Sequence, residues 1–216
     1  SGDKIFFVLV LCIVLAGLAI FSSASLGLLA RENSSVSKDI LQQAGLGLGL
    51  GFLALFIARA IPLAFIKRLS PYIYAITIFF TALVFIPGIG FQSGGAVRWI
   101  DLGFTTVQPA EFLKIGLVLV LAWWLAPRAR GLADFKKGLL PFVFILALPS
   151  AMLLAQPNTS TALLILATGA VMYFVARAPW KDFGILAIGL ALIFVSVAFA
   201  RPYVLERIKT FIDPSA

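Results

Sequence analysis

The chain contains no histidine, a single cysteine (Cys12) and nine acidic residues among 216. The missing histidines and the lone thiol exclude disulfide frameworks, His/Cys metal sites and the Ser-His or Cys-His pairs of nucleophilic catalysis. Any chemistry must use carboxylates, lysine, arginine, tyrosine or hydroxyls. Charge is also scarce: 12% of residues are charged, 62% are hydrophobic, and the mean hydropathy is +1.08. A soluble domain holds about 45–50% apolar residues. The composition therefore describes an all-α, polytopic integral membrane protein.

Seven segments have the length and apolarity of spans, at about 5–24, 40–61, 71–87, 108–126, 139–156, 160–176 and 183–200. The yardstick is roughly 20 residues per crossing, with some spans shorter or tilted. Together they make one transmembrane domain over 1–216. Ser22, Ser23, Ala24 and Ser25 mimic a signal-peptide cleavage site. Ile5 to Phe21 nevertheless exceeds the ~7–15-residue apolar core of a cleaved signal, so it reads as a retained helix. An inside amino terminus gives the cytoplasmic segments ten basic residues: Lys4, Arg59, Lys67, Arg68, Arg128, Arg130, Lys136, Lys137, Arg177 and Lys181. The outer segments then hold six, Arg31, Lys38, Arg98, Arg201, Arg207 and Lys209, with Lys114 inside a span. The inside excess favours that orientation. Topology and anionic lipid account for the net charge of +8, and basic residues scattered over both faces argue against a nucleic-acid partner.

Polar residues at membrane depth are costly and seldom incidental. The outer loop between the third and fourth spans carries Gly94-Gly95-Ala96-Val97-Arg98-Trp99-Ile100-Asp101, after a flexible Pro87-Gly88-Ile89-Gly90. Trp99 reads either as an interfacial anchor or as the wall of a groove for an amphiphile. Arg98 reads either as a snorkelling cation or as the partner of a lipid-linked phosphate. Asp101 is a possible site carboxylate in position, and an exposed turn residue by composition. Gln108-Pro109 opens the fourth span with proline at the first helical position. Glu111 and Lys114, three apart, share a helical face and are expected to pair, either as a buried clip between helices or within a polar cavity. A second Gln-Pro pair, Gln156-Pro157-Asn158-Thr159-Ser160-Thr161, opens the sixth span. Its helix N-terminus and that of the fourth would both face outward and suit an anion such as pyrophosphate. Thr159, Ser160 and Thr161 equally suit capping and helix packing.

These motifs, in this order, with Arg201-Pro202-Tyr203-Val204-Leu205-Glu206-Arg207-Ile208 at the end, resemble the SEDS family (shape, elongation, division and sporulation). Phe21-Ser22-Ser23-Ala24-Ser25 and Ile86-Pro87-Gly88-Ile89-Gly90 tilt the resemblance toward its division members. The resemblance implies a ten-helix fold in the bacterial cytoplasmic membrane, of which seven helices lie here. It implies polymerisation of lipid II into a growing glycan strand on the outer face, usually with a class B penicillin-binding protein and other division proteins. Such glycosyl transfer needs an acidic group to assist the attacking hydroxyl. It also needs cationic groups or a divalent cation, magnesium or manganese, to stabilise the departing undecaprenyl pyrophosphate. The implied substrate-binding set is Arg98, Trp99, Gln108, Glu111, Lys114, Gln156, Asn158 and Thr161.

Two departures stand out. The family commonly has Asp where this chain has Asn158, and its essential Asp lies in a Thr-Asp-Phe-Ile-Phe segment that would fall beyond Ala216. Residues 201–216 read as the start of a large external loop in a truncated chain, or as an interfacial helix ending a complete one. A lipid-linked precursor transporter and a non-catalytic division scaffold remain alternative functions.

Overall fold

In hydrocarbon a backbone amide finds no water, so apolar stretches of this length must close their hydrogen bonds internally. The computed structural model describes residues 4–29, 47–93, 96–103, 106–128 and 131–200, and its elements are predominantly helical. Arg31, Lys38, Gly94, Gly95, Arg130 and the 201–216 segment, all named above, lie outside the described residues. Residues 1–63 and 64–216 form two units. The first holds α1 (Lys4–Leu29) and α2 (Gly49–Ala60). Helix α1 is apolar from Ile5 to Phe21, and Ile13 is 71% exposed.

The second unit begins within the first turn of α3 (Leu63–Ala82), which closes in a 3-10 turn at Leu83–Phe85. Lys67, Arg68 and Pro71 interrupt the apolar pattern and move the sequence-based start to 71, yet the helix runs through all three. A three-stranded antiparallel sheet follows: β1 (Gly90–Ser93), β2 (Ala96–Asp101) and β3 (Thr106–Val107) in that spatial order. Phe91 pairs with Trp99, and Ile100 pairs with both Gly90 and Val107. This ribbon is an addition to the all-α expectation. Valine, tryptophan and isoleucine at 97–100 supply the β-branched and aromatic side chains that suit a pleated surface.

Four helices complete the unit: α4 (Pro109–Leu125), α5 (Leu139–Ala155), α6 (Thr159–Val175) and α7 (Trp180–Ala200). Among the described residues three helical stretches, Lys4–Ser23, Leu63–Phe85 and Pro109–Arg128, are long and apolar enough to cross a membrane. Gly49–Ala60, Leu139–Ala155 and Thr159–Val175 are shorter apolar helices. Leu113, Leu117 and Leu121 recur every fourth residue on α4 and are fully buried against Phe142, Leu146 and Leu153 of α5 and Ile165 of α6. Helices α3 and α4 meet at Gly116, where any Cβ would overlap the Thr77 hydroxyl. Small residues at such crossings let backbones approach within lipid, where hydrophobicity itself drives no association.

The end of this unit away from the sheet is pinned by side chains. Arg128 donates to the Trp124 carbonyl at 2.9 Å and stacks over its ring at 5.3 Å, a cation placed at the negative end of α4. Tyr173, stacked on Phe142 at 4.2 Å, donates to Asp182 at 2.6 Å, with both partners buried.

Candidate functional site

At the sheet end, three helix and strand termini converge and leave orphan carbonyls, which the last turn of any helix exposes. Gln156 caps α5 and is 3% exposed, and its side-chain Nε2 donates at 3.1 Å to the Thr81 carbonyl in the last turn of α3. The Gln156 carbonyl in turn accepts from Arg98 Nε at 3.3 Å, and the Pro157 carbonyl accepts from Arg98 Nη2. Arg98 thus sits on β2 as a cation against the negative end of α5. Gly90 lets β1 close on the end of α3, because a Cβ there would overlap both the Val84 carbonyl and the Val97 side chain. Gly88, in the turn just before it, adopts the left-handed φ of 88° that glycine tolerates.

A cavity of about 380 Å³ opens between these termini, lined among others by Val84, Phe85, Gly90, Val97, Gln156 and Pro157. A guanidinium has five N–H donors, so the two bonds that Arg98 makes leave others for a phosphate oxygen beside this cavity. A second cavity of about 370 Å³, between α5, α6 and α7, is almost wholly apolar and has only Ser150 as a hydroxyl in its lining. The first cavity, with convergent polar groups, is the better candidate for chemistry.

The remaining expected residues are distributed as follows. Asn158 is the N-cap of α6 and 5% exposed, but its side chain makes no capping bond, and among the described residues its Nδ2 has no partner. Thr161 lies half-buried in the first turn of the same helix. Gln108 is the extended N-cap of α4, with φ −97° and ψ 108°, as the following Pro109 requires. Trp99 neighbours Arg98 on β2, where the register is irregular: Phe91 pairs with Trp99 and Gln92 with Val97, leaving Arg98 as the extra residue of a bulge. Asp101 is the exposed last residue of β2, and its carboxylate accepts from the Gly103 amide at 2.8 Å in the turn that follows. Glu111 and Lys114 do pair, at 2.9 Å, but they are 57% and 31% exposed. This corrects the buried interhelical clip: both partners stand on α4, where i,i+3 spacing brings them together without a second helix.

The donors around the cavity do not fit a divalent cation. Arg98 and Gln156 bring no carboxylate, and among the described residues no group of three or more His, Cys, Asp or Glu converges. Sequence reasoning misses Thr81, whose carbonyl takes the Gln156 amide, and Tyr74, whose hydroxyl donates to the Ile145 carbonyl at 2.5 Å. Tyr74, Thr77 and Thr81 recur at helical spacing within the apolar second half of α3, and that polar stripe is the available signal.

The profile of the cell cycle protein family FtsW/RodA/SpoVE matches residues 3–216. The chain is 35% identical to the probable peptidoglycan glycosyltransferase FtsW of Alcanivorax borkumensis, over 94% of this chain and 53% of that protein. It is 29% identical to the stage V sporulation protein E of Bacillus subtilis, over 99% of this chain and 58% of that protein. Among solved structures it is similar to a peptidoglycan synthase complex, described as coordinating polymerisation and crosslinking. The TM-score there is 0.70 at 28% identity, covering 95% of this chain and 59% of the other. It is also similar to the rod shape determining protein RodA of Thermus thermophilus, with TM-score 0.65 and 26% identity over 85% of this chain and 58% of that one. The chain therefore spans little more than half the length of the relatives it matches.

Proposed function

The chain belongs to the FtsW/RodA/SpoVE family of cell cycle proteins, and from that premise we propose that it serves the polymerisation of lipid II into glycan strands. The reaction would run on the outer face of the bacterial cytoplasmic membrane during cell division, with the amino terminus cytoplasmic. The observation that carries this reading is the Arg98 guanidinium, tethered to the Gln156 and Pro157 carbonyls beside a cavity at the sheet end.

In this reading the sugar hydroxyl of one substrate attacks the sugar carbon of another, the bond to pyrophosphate breaks, and the hydroxyl proton passes to a carboxylate. The leaving pyrophosphate gains negative charge close to a membrane surface, where a preorganised cation is worth more than in water. Arg98 supplies that cation, already oriented by its carbonyl partners. The outward N-terminus of α6, with the Asn158 amide, adds further donors. Trp99, Gln108, Glu111, Lys114, Gln156 and Thr161 border the path of the lipid-linked sugar. The carboxylate that receives the proton is assigned outside these residues, because Asp101 closes a turn and Glu111 is held by Lys114. Partners in this reading are a class B penicillin-binding protein and other division proteins. The name of the Alcanivorax relative and the likeness to the synthase complex support it.

The test is a reconstitution of the full-length protein with its penicillin-binding partner in lipid vesicles supplied with lipid II. Glycan polymer that disappears in Arg98→Ala is the expected result. Movement of lipid II between leaflets without polymer would overturn the reading in favour of the transporter.

A further inference from the structure

Helix α5 carries Pro149 in its interior, fully buried. Proline has no amide hydrogen, so the carbonyl four residues earlier loses its helical donor, and the ring crowds that same oxygen. The residue four earlier is Ile145. Its carbonyl accepts the Tyr74 hydroxyl of α3 at 2.5 Å, a contact 71 residues apart in sequence. The contact is half-buried among apolar side chains, and an orphan carbonyl in such surroundings is expensive. Tyr74 therefore supplies to α5 the donor that Pro149 withholds.

The same two helices touch again through hydrogen bonding farther along, where Gln156 at the end of α5 donates to the Thr81 carbonyl of α3. Tyr74 and Thr81 lie seven residues apart, two helical turns on one face of α3, and Gln156 is the residue whose own carbonyl holds Arg98. The α3–α5 seam thus has two pegs, one at the proline and one at the cavity.

We propose that Tyr74 is a positioning residue: by engaging the Ile145 carbonyl released at Pro149, it fixes the path of α5 so that the Gln156 and Pro157 carbonyls meet Arg98 at the cavity. It touches no substrate, and its effect on catalysis rests on the functional reading above, whereas its effect on the corner does not. Pro149 and Tyr74 form one device. The proline frees helix α5 from a regular path, and the tyrosine chooses which path it takes.

The experiment compares Tyr74→Phe, Pro149→Ala and the double variant in the full-length protein. The measurements are thermal unfolding, hydrogen exchange over residues 153–162, and the KM and kcat for lipid II. Tyr74→Phe is expected to unfold at lower temperature, because the Ile145 carbonyl is then unpaired. Adding Pro149→Ala is expected to restore much of that loss, because an alanine at this position offers the amide hydrogen that the proline lacks. Exchange at the 156–158 corner is expected to rise in Tyr74→Phe and to stay raised in the double variant. KM is expected to rise about fivefold in both, as the loss of one hydrogen bond's worth of positioning predicts, with kcat less affected.

Additive effects of the two substitutions on unfolding would overturn the pairing. Recovery of corner protection and KM together with stability would overturn the positioning role and leave Tyr74 a purely structural residue. Absence of polymerisation in the wild-type protein would count against the functional reading alone, since unfolding and exchange still decide the role of Tyr74.

Discussion

Replacing Arg98 by alanine should cost both stability and ligand binding, in proportions the geometry sets. Two bonds from a charged donor to the Gln156 and Pro157 carbonyls are lost. Buried hydrogen bonds to charged groups contribute about 1.5–3 kcal/mol each, and half-burial of Arg98 reduces this by roughly half, giving about 1.5–3 kcal/mol in all. The carbonyls left behind sit at the C-terminal end of α5 beside a cavity, where water can replace part of the loss. Arg98→Lys keeps the charge but not the planar fork, so it should hold one carbonyl and fall between alanine and wild type. The assay is thermal unfolding in detergent together with binding of a pyrophosphate-bearing lipid to the same preparations. Wild-type stability in Arg98→Ala would refute the clasp at the corner of α5 and α6. A lysine variant no better than alanine would refute the importance of charge there.

Glu111→Gln should lower stability by only about 0.2–1 kcal/mol in an unfolding assay, because the pair with Lys114 is half exposed and confined to one helix. A loss several times larger would mean that the pair is buried in the assembled protein. Gly116→Val should destabilise by about 1–3 kcal/mol, since its side chain must displace Thr77 where α3 and α4 cross. Thermal unfolding of Gly116→Val alone and combined with Thr77→Ala checks this, with partial recovery expected in the double variant.

Much of the helical architecture is legible in the sequence because membrane burial imposes apolar helices, although α3 and α5 run through Pro71 and Pro149. The Gln108-Pro109 signal stands at the start of α4 with proline at the first helical position, whereas Gln156 is the C-cap of α5 and Pro157 lies in the turn before α6, whose N-cap is Asn158. The ribbon at 90–107 does not announce itself as strands, because glycine-rich sequence between two spans suggests a loop, and cross-strand pairing is invisible to local pattern. The extension of α3 back to Leu63 is hidden by Lys67 and Arg68, whose long stems let the charge reach an interface while the backbone remains helical. At the site, residue types point to Arg98 and Gln156. Their mutual contact, spanning 58 residues, depends on how α5 docks against the sheet, as the bond from Tyr74 to Ile145 depends on how it docks against α3. Such contacts arise from tertiary packing and leave little trace in spacing.

The central claim is that the cavity beside Arg98 receives a lipid-linked sugar pyrophosphate, and photocrosslinking tests it most directly. Phe85 lines the cavity at 48% exposure, whereas Phe144 on α5 lies outside it at 69%. A benzoyl-phenylalanine placed at each position in the full-length protein, irradiated in vesicles containing labelled lipid II, gives a paired comparison. The account predicts capture from position 85 that excess unlabelled lipid II abolishes and that Arg98→Ala weakens, with only background capture from position 144. Equal capture at both positions, or capture at 85 indifferent to Arg98, would contradict it.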